Sequence, residues 1–226
     1  MKDTKDQNIE WTRKRAEVFI QRVEKKIKKR YKPLVMQVIK SIKKYNIKIN
    51  PKVLDIGCVP GILLFELKKL VPDIRILGID SSRIMVDTAK KKAEEYNIKK
   101  YEFKKGFAEE IPLPDKSVDV VVCYDSLHDF MNTKKTIEEV YRILLVEGIF
   151  ILKDINGTYP KWKRQLQFIP LLFKVGLKNT LRYIKKGGSG LNPNQIEIWM
   201  VNKGFEVNLL EKKKFYLIIG KKHSNK

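Results

Sequence analysis

Between residues 51 and 155 the chain alternates short apolar runs with longer amphipathic stretches. "KVLDIG", "IRILGID", "VDVVVCYD" and "IFILKDI" are rich in Val, Ile and Leu, as strands buried on both faces are. "KYEFKKG" reads as a further strand. "ILLFELKKL", "SSRIMVDTAKKKAEEYNI" and "TKKTIEEVYRILL" repeat apolar residues at three- and four-residue spacing, the period of a helix with one buried face. Ser81 or Ser82 would cap the second of these. Strands separated by helices pair in parallel and are covered on both sides. An α/β fold with a parallel sheet is therefore predicted for this stretch.

The flanks read differently. "IEWTRKRAEVFIQRVEKKIKKR" and "LVMQVIKSIKKY" predict two helices, broken at Pro33, and Asn50-Pro51 marks the start of the α/β part. "VEG" predicts a turn before the fifth strand. Residues 156–190 are basic, aromatic and apolar at once and end in Gly187-Gly188-Ser189-Gly190. "NPNQIEIWMVNKG" then predicts a helix stopped by Gly204, and "FEVNLLEKKKFYLIIGKK" two antiparallel strands. The expected organisation is a basic helical extension (1–50), an α/β core (51–155), a basic aromatic insert (156–190) and a closing helix and strand pair (191–226).

Charge separates the same segments. The net charge is +22, yet residues 51–152 hold 16 Lys and Arg against 17 Asp and Glu. The excess lies in residues 1–50, with 16 basic against 5 acidic side chains, and in residues 153–190, with 9 against 1. A Lys-rich proteome is one reading, although it would raise charge everywhere; a local surface that suits polyanions or anionic membranes is the other. No run of 18 apolar residues and no apolar N-terminal stretch is present, which predicts a cytoplasmic protein. Cys58 and Cys123 lack metal-ligand spacing; reduced thiols and no metal are expected.

"VLDIGCVPGILLFEL", Val53 to Leu67, runs from strand through a tight turn into helix. Ligands of open α/β sheets sit at the carboxyl ends of such strands. Several chemistry-bearing residues fall at these ends: Asp55 and Gly57 on the first strand, Asp80 on the second, Gly106–Glu109 after the third, and Tyr124-Asp125-Ser126 after the fourth. An acidic residue closing the second strand suits the two hydroxyls of a ribose. The dinucleotide fingerprint G-x-G-x-x-G is absent, because the loop from Gly57 to Gly61 reads G-x-x-x-G. A phosphate loop is excluded too, since no Gly-Lys-Ser/Thr follows.

Taken in order, "VLDIGCVPG", "LGIDSS", "KGFAEEIPLPDKSVDVVVCYDSLHDF" and "EEVYRILLVEGIFILKD" resemble the class I S-adenosylmethionine-dependent methyltransferases. Their texture is similar to the small-molecule enzymes of quinone biosynthesis. The resemblance implies a Rossmann-like, doubly wound, mixed seven-stranded sheet of order 3-2-1-4-5-7-6, its last strand antiparallel. It implies S-adenosylmethionine as cofactor. Asp55 would help place the methionine end, Gly57, Cys58, Val59 and Gly61 would pack their backbone on the cofactor, Asp80 and Ser81 would face the ribose, and Phe107, Ala108, Glu109 and Tyr124 would line the rest. Two positions depart from the family pattern. Val59 stands where a middle Gly is usual, and a β-branched residue at φ > 0 costs about 1–2 kcal/mol. Either the loop avoids that conformation or Val narrows the channel. Phe107 stands where Asp is frequent, and an aromatic ring there would stack on adenine.

On the acceptor side, His128 in "DSLHDF" would take a proton from an acceptor, with Asp125 and Asp129 to orient it and Tyr124 to close the site. A packing or capping role for His128 is the alternative. The Asn/Asp-Pro-Pro-aromatic stretch of base-amino methylation and the Pro-Cys of cysteine-dependent pyrimidine methylation are both absent. The basic flanks carry Trp11, Phe19, Tyr31, Tyr159, Trp162, Phe168, Phe173 and Tyr183. They would form a lid over an anionic or aromatic small molecule, bind RNA, or lie on a membrane surface. A methyltransferase-like fold kept as a non-catalytic binding module is a further reading. Acceptor and oligomeric state stay open at this stage.

Overall fold

The computed structural model of the protein describes residues 17, 18, 20, 21, 27–160 and 190–224, without side chains at 27–30, 211 and 212. Helix α1 (Ile27–Lys44) precedes β1 (Lys52–Ile56), α2 (Ile62–Leu70), β2 (Arg75–Asp80), α3 (Arg83–Glu95), β3 (Tyr101–Lys105) and β4 (Val118–Tyr124). A 3-10 turn at Leu127–Asp129 leads to α4 (Thr133–Ile143), β5 (Leu144–Ile155), α5 (Pro193–Lys203), β6 (Phe205–Lys212) and β7 (Phe215–Lys222). The seven strands form one sheet of order β3-β2-β1-β4-β5-β7-β6. The first five run parallel, and β7 is antiparallel to both β5 and β6. This is the mixed sheet that the resemblance implied.

The continuous apolar runs follow from burial on two faces. Along β4, Val120 and Val122 point into one core, with α1, α2 and α3. Val121 and Cys123 point into the other, with α4 and α5. Each such Val, Leu or Ile contributes about 1.5–3 kcal/mol when it leaves water. Both cysteines are buried and unbridged.

Two local expectations need correction. Pro33 does not break the N-terminal helix; α1 runs through it to Lys44. Tyr31, Leu34, Val35, Val38 and Ser41 form one buried stripe across the proline, while Pro33 itself faces solvent. Burial of that stripe outweighs the roughly 3 kcal/mol that an interior Pro costs a helix. The described end of the basic extension is therefore bound into the core. At the other site, "VEG" lies inside β5 rather than before it. The register jumps from Val118↔Leu144 to Val120↔Ile149, and Glu147 turns at φ 65. The turn is present as a bulge that extra residues of β5 loop out of the ladder. Helix α5 stops at Gly204 as the sequence suggested. Most of the expected insert, residues 161–189, lies outside the described residues.

The segment between β3 and β4 is irregular but pinned. Arg142 of α4 donates to the carbonyls of Leu113 and Ile111, both at 2.9 Å, and pairs with Asp115 and Glu139. Glu139 in turn accepts from the Ile111 N–H at 2.8 Å. One helix side chain thus fixes the wall that approaches the carboxyl ends of β2 and β3.

Candidate active site

The strand order reverses between β1 and β4, which opens a crevice at their carboxyl ends. A cavity of about 350 Å³ lies there. Its floor is the loop after β1. The Gly57 and Cys58 N–H groups both donate to the Ile79 carbonyl, at 2.8 and 3.1 Å, so the loop is tied to β2. Gly57 sits at φ 72, and a Cβ there would stand 2.8 Å from the Ser126 side chain. Only glycine fits both conditions.

Val59 also takes a left-handed conformation, at φ 50. The loop does not avoid the strain; it holds it. The Val59 N–H donates to Asp80 Oδ2 at 2.9 Å, and the Gly61 N–H donates to the Cys58 carbonyl at 2.9 Å. Asp80 Oδ1 accepts from the Ser82 N–H at 2.9 Å, while Ser82 caps α3 by accepting from Met85. Asp80 therefore joins the turn after β1 to the start of α3. Burial raises its carboxyl above the usual range, and the two N–H donors oppose that shift. Asp55 is raised well above the usual range by burial and then by the negative charge of Asp80.

The residues singled out from sequence fall into two groups. Gly57, Val59, Asp80, Ser81, Phe107, Ala108, Glu109, Tyr124, Asp125 and His128 all line the cavity. Asp55, Cys58 and Gly61 do not. The Cys58 side chain is buried under the loop, and burial with the charges of Asp80 and Asp55 pushes its thiol up. Glu109 is half committed elsewhere, accepting from the Asn132 N–H at 3.1 Å. Phe107 is 40 % exposed, and Met131 beside it on the wall is 72 % exposed. They give the site an apolar rim.

On the β4 and β5 side, His128 has a partner besides the Asp125 and Asp129 named from the sequence. His128 Nδ1 bonds Asp154 Oδ1 at 2.6 Å, whereas Asp129 lies 3.6 Å from Nε2. Burial opposes a charge on the ring. The hydrogen bond and charge of Asp154, with Asp129 and Asp125 behind it, outweigh burial and push His128 up to about 9. Ligand atoms of Asp125, His128 and Asp154 lie within 4.8 Å of one another. Two of those groups are bonded to each other, which describes a hydrogen-bonded ion pair better than a metal centre.

Sequence reasoning missed Asp154, although it closes β5 as Asp80 closes β2, so the same signal was available. It also missed Phe130 and Met131 on the wall, whereas Ser126, noted at the end of the fourth strand, does line the cavity. Tyr31, noted only among the aromatics of the flank, reaches the cavity from α1 and meets Tyr124 edge to face at 5.4 Å. No periodicity marks a helix residue that lines a site built by strand ends.

Comparison with known proteins agrees with this architecture. The family described as "Methyltransferase domain" matches residues 47–216. An uncharacterized methyltransferase of Bacillus subtilis, YcgJ, is 33% identical over 113 residues, 50% of this chain and 44% of its own. Demethylmenaquinone methyltransferase of Lactobacillus johnsonii is 30% identical over 143 residues, 60% of this chain and 59% of its own. The match thus spans about half the length of these relatives. The crystal structure of an S-adenosylmethionine-dependent methyltransferase of Aquifex aeolicus superposes with a TM-score of 0.62 at 19% identity, covering 91% of this chain and 97% of that one. The strand order, the ligand crevice where it reverses and the match over residues 47–216 converge: the chain belongs to the methyltransferase domain family, the class I S-adenosylmethionine-dependent methyltransferases.

Proposed function

We propose that the protein transfers a methyl group from S-adenosylmethionine to a small-molecule acceptor that loses a proton as it is methylated. The observation that carries this reading is one cavity with Asp80 on the β2 side and His128 on the β4 side. The donor set fits the cofactor. Asp80 is held by two backbone N–H groups and keeps lone pairs for a pair of ribose hydroxyls. The Gly57 and Val59 backbone forms a close-approach floor, and Phe107 offers a face for the adenine. S-adenosylmethionine supplies a methyl group already activated on a sulfonium, so the protein must orient, exclude water and remove a proton.

The chain's own residues divide that work. Tyr31 and Tyr124 pack together and narrow the cavity from α1 and β4. His128 is the proton acceptor, through its ring nitrogen Nε2. Met131 favours an acceptor with an apolar body, in keeping with a relative that is a demethylmenaquinone methyltransferase. Calorimetry with S-adenosylmethionine and S-adenosylhomocysteine tests the reading. Micromolar binding is expected, weakened at least tenfold in Asp80→Ala. Methyl transfer is then assayed against a panel of apolar phenols, quinols and carboxylic acids. Absence of cofactor binding in the native protein refutes the proposal.

A further inference from the structure

His128 and Asp154 are 26 residues apart and meet because β4 and β5 are neighbours. Tyr124 pairs with Lys153, so the turn after β4 folds back over the last residues of β5. Asp154 is fully buried there, and its carboxylate has three donors. The His128 backbone N–H reaches Oδ2 at 3.2 Å. The Ile155 N–H and the His128 ring reach Oδ1, each at 2.6 Å. The two backbone donors fix the carboxylate, and the carboxylate fixes the ring. With Nδ1 committed to Asp154, Nε2 is the ring nitrogen left to the cavity, where Asp129 stands 3.6 Å away.

We propose that Asp154 is the positioning residue for His128: it holds the ring in the Nδ1–H form, so that Nε2 takes the proton an acceptor releases. This rests on the reading of the cavity as a methyl-transfer site. The proton leaves the acceptor's O–H or N–H for Nε2, Nδ1 keeps its own proton, and Asp154 stays ionised. The neutral imidazole and carboxylate become an imidazolium–carboxylate pair, which water discharges after product leaves. A buried carboxylate behind a histidine is a general means of fixing tautomer and raising basicity.

The surroundings favour that pair. Asp125 and Asp129 face His128 from its own turn and add negative charge. Tyr216 of β7 and Cys123 of β4 face Asp154, and burial raises both of these groups, which keeps them neutral. A ring pushed up to about 9 is mostly protonated at neutral pH, so the rate of transfer rises with pH until it is passed. It also matches acceptors of phenolic acidity, near 10 for a tyrosine-like hydroxyl.

The test is a proton and nitrogen NMR titration of the two histidines in the full chain, with His128→Gln to assign the signals. In the native protein His128 is expected to titrate near 9 and to show the Nδ1–H tautomer above that pH. In Asp154→Asn its pKa is expected to fall by at least about two units, roughly a hundredfold in proton affinity. S-adenosylhomocysteine binding within a few-fold of native certifies that the variant is folded. A native His128 titrating near 6.5, or one that Asp154→Asn leaves in place, overturns the inference. If Asp154→Asn does not fold, the native titration and tautomer decide alone. Failure of S-adenosylhomocysteine to bind the native protein sinks the functional reading instead, and calorimetry reads that outcome separately from the histidine.

Discussion

Val59 offers a direct way to test the backbone of the cofactor loop. At φ 50 a β-branched side chain stands in a region that costs an L residue about 1–2 kcal/mol, which only glycine escapes. Replacing Val59 alone would mix relief of strain with loss of its half-buried methyl groups. The informative comparison is Val59→Ala against Val59→Gly. Both remove the γ-carbons, so apolar burial differs only by one methyl group. At an ordinary φ the alanine variant is the more stable, by about 0.5–1 kcal/mol, because glycine loses more backbone freedom on folding. At φ 50 the order inverts, because alanine keeps the left-handed penalty and glycine does not. The Gly variant is expected to exceed the Ala variant by about 1 kcal/mol. For a chain of 226 residues that is about 2–4 °C in thermal midpoint. Urea unfolding with matched slopes measures the same quantity at 25 °C. An alanine variant equal to or more stable than the glycine variant refutes the left-handed turn, and with it the hydrogen bond from Val59 to Asp80.

Three further outcomes follow from the same geometry. His128 is raised from 6.5 to about 9 in the folded state, so its contribution is whole below pH 6.5 and is lost as pH rises through about 9. The loss is about 3 kcal/mol, seen as a fall in urea midpoint from pH 6 to 9.5 that His128→Gln reduces; an unchanged pH dependence in that variant counts against the ion pair. Arg142→Met leaves the Ile111 and Leu113 carbonyls without their guanidinium donor and is expected to cost about 2–3 kcal/mol, with faster amide exchange through residues 111–115; retention of native exchange there refutes the pinning role. Gly57→Ala places a Cβ 2.8 Å from Ser126 at φ 72, and is expected to weaken S-adenosylhomocysteine binding at least tenfold in calorimetry; full affinity would mean that the loop is free to move.

How far the sequence spoke depends on the kind of contact. Helix and strand periods are local, so the α/β alternation, the helix stopped by Gly204 and the closing strand pair could all be read from residues a few places apart. Pro33 misled because the rule for proline is local, whereas the stripe from Tyr31 to Ser41 gains its energy from packing on distant elements. Val59 was visible as a departure, but a residue type does not reveal its φ. Asp80 decides that, by accepting from the Val59 N–H across 21 residues. Residues 161–189, most of the insert where the sequence places the lid, lie outside the described residues.

Asp154 shows what one more step of the same reasoning yields. Acidic residues at strand ends were noticed on β1, β2 and after β4, each judged against neighbours in sequence. Once the order 3-2-1-4-5-7-6 is accepted, the end of β5 must lie beside the end of β4, whatever their separation in the chain. The parallel register puts Lys153 opposite Tyr124. The next residue on β5 is an aspartate, and the turn leaving β4 carries a histidine four residues after Tyr124. A buried carboxylate needs donors, and a histidine folded back by a 3-10 turn brings two of them, its backbone N–H and its ring. Topology together with the demand for paired buried charge thus points to the His128–Asp154 pair, which neighbours in sequence do not reveal.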